Sequence, residues 1–360
     1  MILSSNGCRG IRLAGEALLA APALATPRLA AQPLPAAKPG GAPIKVTVSL
    51  GDVDITKIIG VVALEEGIFK RNGLDVDLYV TSGAAEIADG NGIHVPKQYV
   101  RGGRADMGIG GGTPLVHSVA TDVDAEDRVI IGSLDHIVHW WVVARPEIKK
   151  LADLKGKRIG YSGVGAMTHF IILELCKRMG WNPDMDIVPM ANAISVDNLE
   201  RNQVDAFISP GMATVEFKSK GILPIADLRE EWGPVPIAGS GLVSTKKFVR
   251  ENPEAVRRFV KSIVEAIALM KSNREVAFKA QAKWYGVGDR EKQNANYLVL
   301  DTLPRKPYPS IDGIKKTMQL YDSLAMRRHK PEDFFEVLGD AGADAALAVG
   351  SIREIGRAHV

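Results

Sequence analysis

From residue 45 onward, short apolar segments alternate with helical patterns of ten or more residues. Such alternation is typical of βαβ units, in which a helix returns the chain so that consecutive strands run parallel. Residues 45–50 and 74–80 are interpreted as the first two strands, and residues 56–72 as the helix between them, with Gly73 as its stop. The sequence therefore predicts an α/β fold whose sheets are mainly parallel and flanked by helices.

The alternation starts a second time after residue 150, which indicates two lobes. A helix is predicted at residues 167–179, where Gly180 ends it, and from Gly241 the chain returns to a strand followed by long helices. A middle segment inserted into one lobe requires two crossings, which we expect near residues 142–147 and 236–241. The predicted division is 1–31 export leader, 32–43 flexible lead-in, 44–143 plus 241–353 lobe 1 with the C-terminal helices, 144–240 lobe 2, and 354–360 tail.

The two ends of the chain have unusual compositions. Arg9 and Arg12 precede a short Ala/Leu-rich segment, residues 13–25, that ends in a small-x-small pattern, as in an export leader. A disordered alanine-rich extension is the alternative. Residues 354–360 match one reading frame of a common sequencing-library adapter, so we interpret them as an adapter-derived tail.

Charge and cysteine content exclude several classes of protein. The net charge is +3, and three arginines against Glu16 place +2 of it in the predicted leader, so the remainder is nearly neutral. This balance argues against a nucleic-acid or anionic-membrane surface. Cys8 and Cys176 are too few for a disulfide framework or a four-thiolate cluster, and the histidines lack zinc-type spacing. We therefore expect no metal and no cofactor.

Loops after the predicted strands supply the candidate binding residues, because ligands of open α/β sheets lie beyond the carboxyl ends of the strands. Two of these loops are glycine-rich and lead into helices, so their N–H groups favour a carboxylate, sulfonate or nitrate group. Simple tight turns are the alternative. The predicted ligand-binding residues are Asp52, Asp54, Ser82, Gly83, Gly111, Gly112, Thr113, Trp140, Ser162, Gly163, Gly165, Thr168, His169, Asn192, Ser209 and Pro210.

Trp140 belongs to a cluster of indole and imidazole side chains at residues 136–141. On a strand, Trp140 and Trp141 face opposite ways, so one ring can pack in the core while the other stacks on a planar ligand. Packing of both rings near the crossing is the alternative. No catalytic residue is predicted, since Cys176 falls on the apolar side of its helix and the spacing of Asp52 and Asp54 indicates no acid/base pair.

Five segments, in a fixed order over about residues 44–280, carry a family resemblance. They are ALEEGIFKRNGLDVDLYV (63–80), GGRADMGIGG (102–111), LADLKGKRIGYSGVGA (151–166), NQVDAFISPG (202–211) and ENPEAVRRFVKSIVEA (251–266). Through them the chain resembles the periplasmic substrate-binding proteins of ABC importers that serve nitrate, taurine, alkanesulfonates and thiamine-precursor pyrimidines. It departs from the family pattern at residues 86–98, a segment that is longer and more polar than the short helix start usual in the family.

The resemblance implies a two-lobed fold of the periplasmic-binding-protein type II, which closes over a ligand and hands it to an ABC permease with its ATPase. We expect a monomeric periplasmic protein that binds a small anionic organic ligand, without enzyme activity or nucleic-acid partner. Sulfonate, nitrate, aromatic carboxylate and pyrimidine remain open as ligands. One alternative is an enzyme of thiamine-pyrimidine-type metabolism on the same fold, although the cysteine-rich motif of that enzyme is missing here. Another is an extracytoplasmic ligand sensor.

Overall fold

The computed structural model describes residues 42–90, 93–121, 127–209, 220–222, 224–301 and 303–336. The predicted export leader, nearly all of the lead-in, Pro210 and the adapter-like tail lie outside these residues. In the part of the chain that is described, strands and helices alternate as the sequence predicts.

Two sheets hold the described strands. These are β1 (Ile44–Leu50), β2 (Leu74–Thr81), β3 (Val100–Arg101), β4 (Met107–Ile109), β5 (Arg128–Ser133), β6 (Trp141–Ala144), β7 (Arg158–Tyr161), β8 (Val188–Ala191), β9 (Ala206–Ser209), β10 (Pro224–Asp227) and β11 (Gly241–Thr245). The first sheet has the order β3-β2-β1-β4-β11-β5 and the second the order β10-β6-β9-β7-β8.

Helices flank both sheets. They are α1 (Ile58–Glu65), α2 (Ile68–Arg71), α3 (Ser82–Gly90), α4 (Thr113–Ala120), α5 (Met167–Met179), α6 (Val196–Glu200), α7 (Leu228–Trp232), α8 (Lys246–Glu251), α9 (Pro253–Ser272), α10 (Arg274–Tyr285), α11 (Arg290–Asp301) and α12 (Ile311–Leu320). Within the described residues, no helix is both long and apolar enough to cross a membrane.

The first predicted helix is interrupted. A 3₁₀ turn at Ile55–Lys57 leads into α1, and α2 follows only after Gly67, which adopts a left-handed φ of 67°. The pattern of apolar residues runs through Gly67 because α1 and α2 bury the same face, and it therefore predicted one continuous helix. A left-handed residue cannot continue a right-handed helix, so the helix is divided there. By contrast, α5 begins and ends where predicted, at a left-handed Gly180.

Both sheets combine the predicted parallel strand pairs with antiparallel ones. β1 pairs in parallel with β2 and β4, but β11 runs antiparallel to β4 and β5. Likewise β7 pairs in parallel with β8 and β9, while β6 is antiparallel to β9 and β10. β6 and β11 are the strands that enter a lobe directly from a crossing. They start at the edge where the parallel strands end, and therefore run in the opposite direction.

The first crossing lies earlier than expected. Trp141–Ala144 pairs with β9 of the second sheet, so residues 134–140 connect the lobes. Residues 136–140 are not part of a strand, apart from an isolated bridge between Ile137 and Pro236 of the second crossing. The two crossings therefore run side by side between the sheets.

Burial follows the periodicity of each element. β1 alternates, with Val46, Val48 and Leu50 buried. α9 buries Phe259 and Ile263 on the face that packs against α1 and α2. This apolar layer holds the helices against the first sheet. The carboxyl ends of its parallel strands point toward the crossings.

Candidate functional site

A cavity of about 540 Å³ lies between the two sheets at the crossings. Its described lining comes from both lobes, both crossings and α11. The lining residues are Gly51, Asp52, Val53, Asp54, Lys57, Ala84, Ile87, Ala88, Asp89, Ile93, Gly111, Pro114, Trp140, Ser162, Ala166, Met167, Thr168, Ile194, Ser195, Val196, Asp197, Ser209, Gly239, Ser240, Val287, Lys292 and Asn296.

Seven of the predicted binding residues line this cavity, because the carboxyl ends of the parallel strands meet there. They are Asp52, Asp54, Gly111, Trp140, Ser162, Thr168 and Ser209. Eight others do not contribute to the described lining: Ser82, Gly83, Gly112, Thr113, Gly163, Gly165, His169 and Asn192. Pro210 is outside the described residues.

Lys57 is the feature of the site that the sequence analysis missed. Its side chain is 3% exposed, and Nζ lies 3.2 Å from Asp52 and 3.6 Å from Asp54. It also donates hydrogen bonds to the hydroxyls of Thr56, at 3.1 Å, and Ser240. Lysine is rarely buried without a partner. Its position three residues after Asp54, at the start of an apolar helix, was the available signal.

The charges of this cluster shift one another's pKa values. Burial opposes charging of Lys57, but Asp52, Asp54 and the buried Asp135 together raise its pKa. Partial desolvation inside the cavity raises the pKa of the half-exposed Asp52, and neighbouring Asp54 adds to this rise against the opposing effect of Lys57. For Asp54, burial is outweighed by Lys57 and by hydrogen bonds from Thr56, so its pKa is lowered. Asp54 is therefore the more firmly ionised carboxylate.

The cluster also connects lobe 1 to both crossings. Ser240, which accepts from Lys57, belongs to the second crossing, and its backbone N–H donates to Asp135 of the first crossing at 3.4 Å. His139 Nε2 lies 3.9 Å from Asp135, and its Nδ1 donates to the Ile137 carbonyl at 3.1 Å. The base of the site is thus a continuous polar network, which low local dielectric strengthens.

The lobe 2 wall begins at the N-terminus of α5. The Ser162 N–H donates to Thr168 Oγ1 at 2.9 Å, which folds the preceding loop back onto the helix. Ala166 caps α5 without a side-chain hydrogen bond, and Ala166, Met167 and Thr168 line the cavity. The first N–H groups of a helix carry partial positive charge.

His169 lies behind this loop and holds it in place. Its Nδ1 accepts hydrogen bonds from the Gly165 N–H at 3.1 Å and from the Tyr321 hydroxyl at 3.2 Å. A Cβ at Gly165 would lie 2.4 Å from Nδ1 of His117 in α4, so only glycine permits this approach of the loop to lobe 1. His169 and Gly165 therefore support the cavity wall from outside.

Two further predicted residues have packing roles. Gly112 has a φ of +69°, and a Cβ there would lie 2.1 Å from the Gly239 carbonyl oxygen in the second crossing. Thr113 is the first residue of α4, and its buried hydroxyl has no hydrogen-bond partner among the described residues. The residue before it takes the cap position, since the Gly112 carbonyl accepts from the Val116 N–H at 3.0 Å.

Cys176 is 1% exposed within α5, and burial raises the pKa of its thiol to about 11. A thiol that is neutral at physiological pH is a poor nucleophile. Its placement agrees with the apolar helix face that the sequence predicts.

The pH dependence of the protein's stability tests the lowered pKa of His169. Burial, with a contribution from His117, lowers its pKa to about 4 from an ordinary value of 6.5. Between these values the unfolded chain binds a proton that the native state does not, so stability is full above pH 6.5 and falls as the pH decreases toward 4. We expect His169→Gln, which keeps an acceptor, to flatten this part of the profile in urea unfolding. Parallel profiles for the variant and the parent chain would contradict the assignment.

The comparisons with known proteins agree with this architecture. A family model described as NMT1/THI5 like matches residues 55–277. A Brucella abortus (strain 2308) protein, provisionally named a binding protein, is 26% identical over 252 residues, which cover 68% of this chain and 74% of that protein. The taurine-binding periplasmic protein of Escherichia coli is 26% identical over 180 residues, covering 49% of this chain and 54% of that protein.

The fold is also shared with solved structures. The periplasmic aliphatic sulphonate-binding protein of Escherichia coli aligns with a TM-score of 0.59 at 18% identity, covering 79% of this chain and 93% of that one. The likeness confirms the predicted fold class, a two-lobed periplasmic-binding-protein architecture.

Proposed function

The chain belongs to the NMT1/THI5-like family, and on this basis we propose that it is a periplasmic solute-binding protein. In this proposal it delivers a small organic ligand with an anionic group to an ABC permease and its ATPase, acts as a monomer and catalyses no reaction. The observation that carries the proposal is the cavity, to which both lobes and both crossings contribute.

Such a cavity supports binding by closure. A ligand that contacts Asp52 in lobe 1 and Thr168 in lobe 2 makes its full set of contacts only when the lobes are together, so binding shifts the population toward the closed state. The anionic group of the ligand is assigned to the N-terminus of α5, where N–H groups and the helix dipole favour negative charge.

Thermal unfolding with a panel of ligands tests this function. The panel consists of ethanesulfonate, taurine, nitrate, benzoate and an aminopyrimidine. A ligand present at 100 times its Kd stabilises the native state by about 2.7 kcal/mol, so a true ligand raises the Tm clearly. Steady-state turnover of the stabilising compound would instead favour an enzyme of thiamine-pyrimidine-type metabolism.

Trp140 provides a second test. Its indole lines the cavity from the end of the first crossing, and its Nε1 is buried without an acceptor among the described residues. We expect Trp140→Phe to weaken binding of the stabilising ligand by up to about tenfold, because phenylalanine keeps an aromatic ring but removes the Nε1–H donor, and a hydrogen bond is worth about 0.5–1.5 kcal/mol. Calorimetric titration measures this change. Trp181→Phe, outside the described lining, is the matched control, and equal affinities in the two variants would contradict a role for Trp140 in binding.

A further inference from the structure

The described wall of the cavity is richer in acidic than in basic side chains. Among its lining residues are four carboxylates and two ammonium groups: Asp52, Asp54, Asp89 and Asp197 against Lys57 and Lys292. A ligand with only negative charge would meet this surplus of carboxylates.

Two of the four carboxylates are already paired at the rim. Asp89 contacts His94, and Asp197 lies 3.6 Å from Arg201 and 3.8 Å from Lys220. Lys292, the other lining cation, is an exposed residue. Its flexible ammonium can extend into water. Asp52 and Asp54 therefore supply most of the charge that a bound ligand meets in the interior of the cavity.

Lys57 does not neutralise this inner wall. Its single positive charge is shared among Asp52, Asp54 and the buried Asp135, with which His139 also interacts. The Asp52 side chain is 51% exposed, and its Oδ1 accepts from the Asp54 N–H at 3.0 Å and approaches Lys57. Its Oδ2 has no hydrogen-bond partner among the described residues.

A second, independent observation comes from α11. Asn296 is 2% exposed and lines the cavity, and its Nδ2 donates to Gln281 Oε1 at 2.8 Å. Its Oδ1 has no partner among the described residues. Exchanging both amide orientations would satisfy Oδ1 from Gln281 but leave Nδ2 unpaired instead. Either way Asn296 keeps one buried polar atom without a partner, and such atoms are rare unless a ligand or water satisfies them.

We propose that the ligand carries an ammonium group, which binds against Asp52 and Asp54 with Asn296 beside it. This inference rests on the proposed function and adds a charge requirement to it: the ligand is a zwitterion, with its anionic group at α5 and its ammonium at the lobe 1 wall. An ammonium offers three N–H donors to a wall of acceptor oxygens. A metal cation fits less well, because the described residues contain no group of three or more His, Cys, Asp or Glu side chains that could hold one.

Matched pairs of ligands isolate the ammonium. Taurine and isethionate differ only in an ammonium against a hydroxyl, as do β-alanine and 3-hydroxypropionate. We expect the amine-bearing members to raise the Tm and the hydroxyl members to have little effect. Equal stabilisation by both members, or binding of amine-free panel ligands alone, overturns the ammonium inference and leaves the proposed function standing. No stabilisation by any compound of the pairs or the panel counts against both.

The Asp52→Asn variant then locates the contact. We expect it to reduce the affinity for the stabilising amine by about tenfold or more, because a hydrogen bond to a charged group is lost, and to leave weak binding of the hydroxyl partner unchanged. Asp75→Asn is the control, since Asp75 is exposed near the start of β2, at the end of the sheet away from the cavity. Equal loss for amine and hydroxyl ligands would show that Asp52 does not read the ammonium.

Discussion

Replacing Lys57 with methionine is expected to lower the free energy of unfolding by about 3–5 kcal/mol, the range found when one partner of a buried ion pair is removed. The methionine fills much of the space of the lysine stem, so packing changes little. What remains is a pair of carboxylates, Asp52 and Asp54, beside the buried Asp135 without the ammonium that compensates them. Urea unfolding at neutral pH measures the change.

Two companion variants separate the charge effect from the shape effect. Lys70→Met makes the same substitution at an exposed position of α2 and should change stability by less than about 0.5 kcal/mol. Adding Asp52→Asn to Lys57→Met removes one of the uncompensated charges and should restore part of the loss. A double variant no more stable than Lys57→Met would mean that the lost lysine acts through packing or through Ser240 rather than through charge.

The same substitution tests the connection between lobe 1 and the crossings. Lys57 is the only donor we find in the described residues that joins a carboxylate of the β1 loop to Ser240 of the second crossing. Its removal should therefore loosen the crossings before the sheets unfold. Amide hydrogen exchange at residues 134–140 and 236–240 should accelerate more than exchange in β1.

Much of the fold follows from local pattern, because helices and strands that bury one face carry their period in the sequence. The limits of α5, with its stop at Gly180, were predictable for this reason. The direction of β6 and β11 was not, since it depends on where a crossing enters a sheet. The position of a strand relative to a distant crossing does not change the pattern of residues in the strand itself.

Some residues of the candidate site could likewise be predicted from the sequence, and others could not. The rule that places ligands at the carboxyl ends of parallel strands selected Asp52 and Ser162, and both line the cavity. It could not separate a loop residue that faces the cavity from one that supports it, such as His169. Nor could it select Asn296, which enters from a helix more than 200 residues after Asp52 in the chain. Membership of one cavity is a tertiary property, and sequence periodicity reports only which face of an element is buried.

Gly112→Ala is expected to destabilise the protein by about 2–5 kcal/mol, although Gly112 was predicted to bind ligand. Left-handed backbone accounts for about 1–2 kcal/mol of this loss in a residue with a Cβ. The rest comes from the new Cβ, which would lie 2.1 Å from the Gly239 carbonyl oxygen and 2.8 Å from that of Ala238. Both are backbone atoms of the second crossing, so relief of the clash requires the crossing itself to move.

Gly180→Ala is the matched control for this prediction. Gly180 has a nearly identical φ of +67°, and a Cβ there would meet no atom within 4 Å. Its substitution should therefore report the backbone strain alone, about 1–2 kcal/mol. The difference between the two variants in urea unfolding measures how tightly the loop before α4 packs against the second crossing. Equal losses would mean that the crossing yields easily, and the position of Gly112 would then place no restraint on how the lobes move.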